Sequence, residues 1–537
     1  MKSVNFSRIP GFSELFRDFI AQNVFFNKRF PSNKSILNNE FRPQWEGDRP
    51  LLASAISRSN KNSGLNDNQK SALEKLMKNN TYAVVTGQQA GFLGGPLYTL
   101  LKAHSAIAAA KKLNRDYAEY EFLPVFWVED NDHDNQEASH VYVYDYKFRP
   151  QRISCSTTIA KEDPTSVSEL EFDAEVSEAI DYLAEIIRPT QYKDELFAKL
   201  REIYAPGKNW SDAFIEFYNY IFSDENILFV KASEIRKMGM FDRAAKLELD
   251  KPAKTKELVE SANELIEKEG YSIQAKISEV NLFWHESGKR LKIKSVDGKY
   301  EVAGRQYSSN ELIAALEKRP GLFSPNVLLR PVFQDLVIPT AAYIGGPSEI
   351  GYLTQTPEMY EYFDVRMPAV LPRHSATLIN MKFDKFLADK NINREEIFDK
   401  FADTERLLNK EFSDTEIEKY FDEVSGQIAD IYKDAGKFAA RFEPSLRRSA
   451  ESLAQKSMNI LSALEQKTQS AAKNRHEQEI EKFRQASDFL YPRGTPQERL
   501  YSPVNFAVFE GFGMLNEKIA AAASLPADHH YFIDLFD

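Results

Sequence analysis

Apolar and polar positions change period several times along the chain, and the clearest change lies between residues 81 and 140. Tyr82-Ala83-Val84-Val85 is a continuous apolar run of strand length. It breaks at Thr86-Gly87-Gln88-Gln89-Ala90-Gly91-Phe92-Leu93-Gly94-Gly95-Pro96, after which Leu97, Leu101, His104 and Ala108 recur at helical spacing. A second apolar run, 122–128, stops in Glu129-Asp130-Asn131-Asp132-His133-Asp134. Two unbroken apolar runs flanking one helical period predict a βαβ unit. Such a crossover is right-handed and its strands are parallel, so the glutamine-glycine turn and the acidic turn open on one edge of the sheet. That edge is where open α/β sheets bind ligands.

Elsewhere the periodicity predicts short amphipathic helices at 12–20 and 66–77, and a strand at 141–144. Helices rich in aromatic residues follow at 176–187, 194–204 and 211–222, then a strand at 227–230 and a charged helix at 254–267. Residues 281–302 read as antiparallel strands turned at Ser287-Gly288-Lys289 and Asp297-Gly298. Ser308 with Glu311 forms a capping box for a helix through Leu316. The texture of the first unit returns at 327–335, continues through a strand-to-helix pattern at 339–350 and a helix at 356–363, and ends in a buried strand at 367–373. Beyond residue 380 the apolar positions alternate in four- and three-residue steps: Val424, Ile428, Ile431, Ala435, Phe438 and Phe442, then Leu446, Ala450, Leu453, Ser457, Ile460 and Leu464. That narrow stripe predicts a coiled-coil seam, and Pro444 between the arms predicts an antiparallel hairpin. The seam can zip its own arms, another chain, or both. The expected division is a sheet core over 1–145, an α+β insertion over 146–325, the rest of the core over 326–380, a coiled coil over 381–491 and a return to the core over 492–537.

Composition narrows the function classes. A net charge of −11 over 537 residues supplies no electrostatic reason to bind nucleic acid or an anionic membrane. Cys155 is the single cysteine, which rules out an internal disulfide and a multi-cysteine metal site. Residues 1–10 lack the apolar core of a signal peptide, and no eighteen apolar residues run together. A cytoplasmic protein is the expectation.

Three loops carry candidate chemistry. The 86–96 turn offers backbone amides at a helix start, a seat for an anion, although no Lys-Ser/Thr pair follows it and it is not G-x-G-x-x-G. In the acidic turn His133, oriented by Asp132 or Asp134, is the candidate general base, with His140 nearby; the same group could hold a divalent ion, its carboxylates suiting magnesium and its imidazoles zinc. In the loop Gly345-Gly346-Pro347-Ser348-Glu349, Glu349 can anchor an amine and Tyr343 a hydroxyl, while Arg330 and Arg373 can clamp carboxylates. His104, Trp284-His285 and Cys155 read as packing residues.

Taken together, Thr86 to Gly91, the Phe126-Trp127 strand leading into Asp132-His133-Asp134, Leu329-Arg330-Pro331 with Gln334-Asp335, Gly345 to Ile350, and Pro372-Arg373-His374-Ser375 resemble the BshC family, the cysteine-adding enzyme of bacillithiol biosynthesis. The resemblance extends to Ile9-Pro10-Gly11-Phe12 at the start and Gln497-Glu498-Arg499 near the end. It implies an α/β fold: a Rossmann-like parallel sheet core with a connecting insertion and an α-helical coiled-coil domain that pairs two subunits. It implies a ligase adding L-cysteine to glucosaminyl-malate. Joining a carboxylate to an amine in water is uphill, so ATP or another nucleotide, with Mg, is a candidate activator. The site set is then His133, Asp132 and Asp134 for catalysis, and Thr86, Gly87, Gln88, Gln89, Tyr98, His140, Arg330, Gln334, Tyr343, Gly345, Gly346, Glu349 and Arg373 for substrate, with no resident metal. Where the family's acidic motif reads Glu-Asp-His-Asp, this chain has Asn131 in the first place. It also lacks the H-x-G-H and K-M-S-K-S elements of adenylating synthetases, so a fold like theirs does not carry their chemistry over. The rival classes are a nucleotide-binding coiled-coil scaffold without catalysis and an aminoacyl-tRNA-synthetase-like enzyme.

Overall fold

The computed structural model describes all residues except 39, 156–163, 297, 403–414, 536 and 537. Its centre is a five-stranded, wholly parallel sheet. In chain order the strands are β1 (Thr81–Gln89), β2 (Glu121–Glu129), β3 (Leu228–Lys231), β4 (Thr340–Gly345) and β5 (Ala369–Pro372). Their spatial order is β5-β4-β1-β2-β3. The chain starts in the middle, builds outward through β2 and β3, then crosses back to lay β4 on the other side of β1. A topological switch point therefore lies between β1 and β4, where a crevice opens beyond the carboxyl ends of the strands.

The strands are continuous apolar runs because helices cover both faces of a parallel sheet. Val84, Phe122, Ile344 and Ala369 are fully or almost fully buried with Ala106 and Ala110 of helix α1 (Leu97–Asp116). α1 carries no amphipathic stripe: Leu97 and Thr99 to Ile107 are all buried, Lys102 and His104 among them. Residues 347–353 form helix α2 (Pro347–Leu353), which Glu349 caps by accepting the Gly346 amide at 2.8 Å.

Most expected elements form near their expected places, including the helix Asp67–Leu76 with an Asn66/Gln69 capping box and the helix Ser309–Lys318 capped by Ser308 and Glu311. Two differ. β1 does not break at Thr86 but runs on through Gln89, with Gly87 opposite Trp127 and Gln89 opposite Glu129. A Cβ on Gly87 would lie 2.9 Å from the Trp127 carbonyl oxygen, so this glycine serves close strand approach rather than a turn. β3 lies inside the 146–325 span yet pairs with β2 as an edge of the central sheet. Residues 327–335, where the texture of the first unit returns, lead into the helix Arg330–Val337. Outside the central sheet, Ser375–Ile379 joins a small sheet with Lys2–Asn5 and His529–Asp534, so both chain ends meet there.

Residues 396–494 form a separate compact unit. It contains helices α3 (Thr415–Ala439) and α4 (Leu446–Leu490), antiparallel across a turn that holds Pro444. Small residues close the hairpin: a Cβ on Gly436 would be 3.0 Å from that of Ala450, and Tyr432 and Ser457 share a hydroxyl hydrogen bond of 2.9 Å.

Candidate active site

A cavity of about 360 Å³ opens at the switch point. β1 contributes Gly87, Gln88 and Gln89, β2 Trp127 and Glu129, β4 and its loop Tyr343 and Gly346, and α2 Glu349 and Tyr352. Asp132, Arg330, Gln334, Arg373 and Arg499 complete the charged and amide wall. A smaller cavity of about 210 Å³ adjoins it, lined by Gly91, Gly95, Pro96, His140, Val141 and Leu500 among others. Both share Gln88, Gln89, Tyr98 and Arg499.

At the base of the larger cavity sits Lys102 of α1, whose side chain is 3 % exposed. Its ammonium donates to the Gly87 carbonyl at 2.7 Å and to Gln88 Oε1 at 3.0 Å, and stands 2.5 Å from Glu349 Oε2. Glu349 Oε1 accepts the Tyr343 hydroxyl at 2.6 Å. Burial works to raise the Glu349 carboxyl, but Lys102 outweighs it and the group stays below the usual carboxylate range. Both partners are thus occupied within the protein, and their effect is to lock β1, α1 and α2 into one floor.

The arginines divide the work. Arg373 is held by Glu498 Oε1 at 2.7 Å and by the His374 carbonyl at 2.8 Å, with its guanidinium over the Tyr98 ring. Arg330 donates to the Tyr352 hydroxyl at 2.8 Å and lies 4.0 Å from Glu129. That leaves most of the Arg330 fork for a ligand. Glu129 also accepts the Trp127 indole N–H at 3.0 Å. Burial pushes its carboxyl up, against the pull of Arg330 and the indole.

The acidic turn divides by side chain. Glu129 and Asp132 line the cavity, whereas Asp130 faces inward, accepting the Ser233 amide at 2.8 Å and its hydroxyl at 2.6 Å. Asn131 Oδ1 accepts the Arg236 Nε–H at 2.8 Å, which ties the turn to the helix Ala232–Lys237. Arg290, from the strand Lys289–Lys292, donates to Asp132 at 2.9 Å. Burial alone would raise Asp132, but Arg290 and the His133 amide bring it below the ordinary value.

Of the residues singled out from sequence, Gly87, Gln88, Gln89, Tyr98, Asp132, Arg330, Gln334, Tyr343, Gly346, Glu349 and Arg373 line the larger cavity. His140 lines the smaller one, its Nδ1 2.7 Å from the Gln136 carbonyl. Thr86, Gly345, His133 and Asp134 are not on either wall. Thr86 is buried and donates to the Ile344 carbonyl at 3.0 Å, and Gly345 accepts the Arg373 amide. Asp134 offers its carbonyl to Gln89 Nε2 at 3.1 Å. His133 stands 3.7 Å from Asp132 and 3.5 Å from Arg290. Burial first and Arg290 second lower its pKa, which keeps the ring neutral near pH 7. The anion seat expected of the 86–96 turn is also displaced: Gly87 to Gln89 remain in the strand ladder, and the Leu97 amide at the helix start donates to the Tyr501 carbonyl at 2.7 Å.

Lys102, Glu129, Tyr352 and Arg499 were not singled out as site residues. A lysine inside a helical stretch with no other charged side chain from Leu97 to Ala110 except His104 was the available signal for Lys102. The packing residues fit that description: His104 bonds Asn516 at 3.0 Å and burial holds its pKa to about 4, while burial pushes the Cys155 thiol up to about 12. Among the described residues no cluster of three or more His, Cys, Asp or Glu side chains suits a metal, and no helix is long and apolar enough to cross a membrane.

Comparison with known proteins agrees with this architecture. Residues 1–374 match the model of the bacillithiol biosynthesis BshC N-terminal Rossmann-like domain, and residues 376–534 that of the BshC C-terminal coiled-coil domain. Relatives provisionally named cysteine ligase BshC include those of Chlorobaculum tepidum (29 % identical, 91 % of this chain and 89 % of the relative), Chloroherpeton thalassium (32 %, 85 % and 84 %) and Prosthecochloris aestuarii (27 %, 98 % and 98 %).

Proposed function

The chain belongs to the bacillithiol biosynthesis BshC family, and on that premise we propose that it is a ligase joining the carboxyl of L-cysteine to the amine of glucosaminyl-malate, the last step of bacillithiol biosynthesis. One observation carries this reading: a single cavity sets the open fork of Arg330 beside two inward carboxylates, Glu129 and Asp132. An amino sugar bearing malate presents the matching groups, carboxylates for a guanidinium and an ammonium for carboxylates.

A carboxylate and an ammonium do not condense in water unaided. The activator we propose is a nucleoside triphosphate such as ATP. A cysteine carboxylate oxygen bonds to the γ-phosphorus and the nucleoside diphosphate leaves, or it bonds to the α-phosphorus and pyrophosphate leaves. The sugar amine, having given up a proton, bonds to the carbonyl carbon, and the phosphate or nucleotide departs with the former carboxylate oxygen. Magnesium would arrive on the triphosphate. Glu129 is the proposed proton acceptor, because it lines the cavity beside Arg330 and burial raises its affinity for a proton. Asp132 orients the ammonium, and His133, beside Asp132, acts through it. Glu349 and Lys102 position the floor.

Product formation from L-cysteine, glucosaminyl-malate and ATP tests the reading. Glu129→Gln should reduce the rate by about 10²-fold or more, Asp132→Asn by less, and His133→Ala least. Equal rates for wild type and Glu129→Gln remove the base assignment; no product from wild type removes the ligase.

A further inference from the structure

The two cavities differ in chemistry. The larger has charged groups of both signs on its walls. The smaller is walled by glycines, Pro96, Val141, Tyr142 and Leu500, and carries no carboxylate side chain. They meet at Gln88, Gln89, Tyr98 and Arg499.

Arg499 differs from the other guanidinium groups here. It ends the short turn Gln497–Arg499, and the two residues before it are fully buried and pinned. Gln497 pairs through its amide with both backbone groups of Leu378, at 2.8 and 3.1 Å. Glu498 takes Arg373, Ser375 and the Ala376 amide. Arg499 itself is half-buried, and its side chain has no hydrogen-bond or ion-pair partner among the described residues. A rigid base thus presents an uncommitted guanidinium at the wall common to both chambers.

Building on the ligase reading above, we propose that the two chambers hold the two reactants at once: the smaller takes an α-amino acid with a small uncharged side chain, and Arg499 binds its carboxylate at the opening into the larger chamber. Apart from His140 and Arg499 the wall is uncharged, which suits a thiol and leaves a cationic side chain desolvated without a carboxylate partner. The carboxylate then lies where the amine of the larger substrate can reach it, and side-by-side binding supplies the orientation that a two-substrate reaction needs.

Calorimetric titration of the full-length protein with L-cysteine and with L-malate tests the assignment. Wild type should bind each, and saturation with malate should leave cysteine affinity nearly unchanged. Arg499→Ala should weaken cysteine about tenfold or more with little effect on malate, while Arg330→Ala should do the reverse. Arg499→Lys should recover part of the loss, and thermal unfolding should show Arg499→Ala as stable as wild type. Mutual displacement of the two ligands, or cysteine binding unchanged in Arg499→Ala, overturns the proposal. Failure of wild type to bind either ligand instead removes the ligase reading, and this assignment with it.

Discussion

At the scale of single residues, the Lys102–Glu349 pair decides whether the cavity keeps its floor. Each charge is buried, so removing one partner leaves the other desolvated and unmatched. Lys102→Met should cost about 3 kcal/mol or more of stability and reduce ligand binding. Combining it with Glu349→Gln should restore much of the stability without restoring binding, because a neutral side chain no longer leaves a charge stranded. Urea unfolding of the two single variants and the double variant measures the coupling; additive losses would show that the pair is not a unit. Lys102 also marks a limit of sequence reading. Its charge is visible in the sequence, but whether a lysine on a helix reaches solvent or turns inward depends on which face the sheet covers. The acidic turn has the same limit. Six consecutive polar residues look alike in the sequence, and only strand register turns Glu129 and Asp132 to the cavity and Asp130 to Ser233.

Among elements, Glu248 ties three segments together. It sits in the helix Asp242–Asp250, accepts the Thr255 hydroxyl from the helix Pro252–Lys268, and accepts the Asn281 amide at 3.2 Å. Burial pushes its pKa to about 7. A carboxyl that holds its proton more tightly folded than unfolded stabilises most below the unfolded pKa. That contribution is lost as pH rises from about 4.5 through about 7, and amounts to about 3 kcal/mol. Glu248→Gln keeps an acceptor for Thr255 and Asn281 without titrating, so its stability relative to wild type should rise across that window. Urea midpoints at pH 5 and pH 8 measure this, and parallel shifts of both proteins would exclude it. The elements themselves were largely legible: capping boxes at Asn66 and Ser308, the apolar runs of β1, β2 and β4, and the helical periods each specify local conformation. β3 shows where legibility stops. Four apolar residues bounded by turns identify a strand but not its partner, and pairing with β2 is a contact across about a hundred residues.

At the scale of the whole molecule, the coiled-coil stripe bears on assembly. Within the hairpin unit Phe438 is 60 %, Phe442 77 %, Leu453 51 % and Ile460 74 % exposed, while Gly436, Ala450 and Ser457 make the intrachain contact. Ala450 and Ser457 of the heptad pattern meet Gly436 and Tyr432, which lie off it, and many of the pattern's large residues face outward, so we propose a homodimer through this stripe. Phe438→Glu with Ile460→Glu should shift the protein from dimer to monomer in light scattering while leaving its helical content intact. A wild-type protein that is monomeric at micromolar concentration would exclude the dimer.

Local pattern alone determined most of the elements and their order, the parallel sheet implied by βαβ succession, the edge of that sheet on which the cavity opens, and the heptad stripe. Those depend on residues within a few positions of one another, where spacing and side-chain type fix conformation. Tertiary structure decided which side chains share a cavity: Lys102 beneath Glu349, Arg373 clamped by Glu498, Arg499 at a common wall, and His133 set back behind Asp132. Each of those meetings depends on strand order and on which face is buried, and a one-residue change of register would undo it without altering any local pattern.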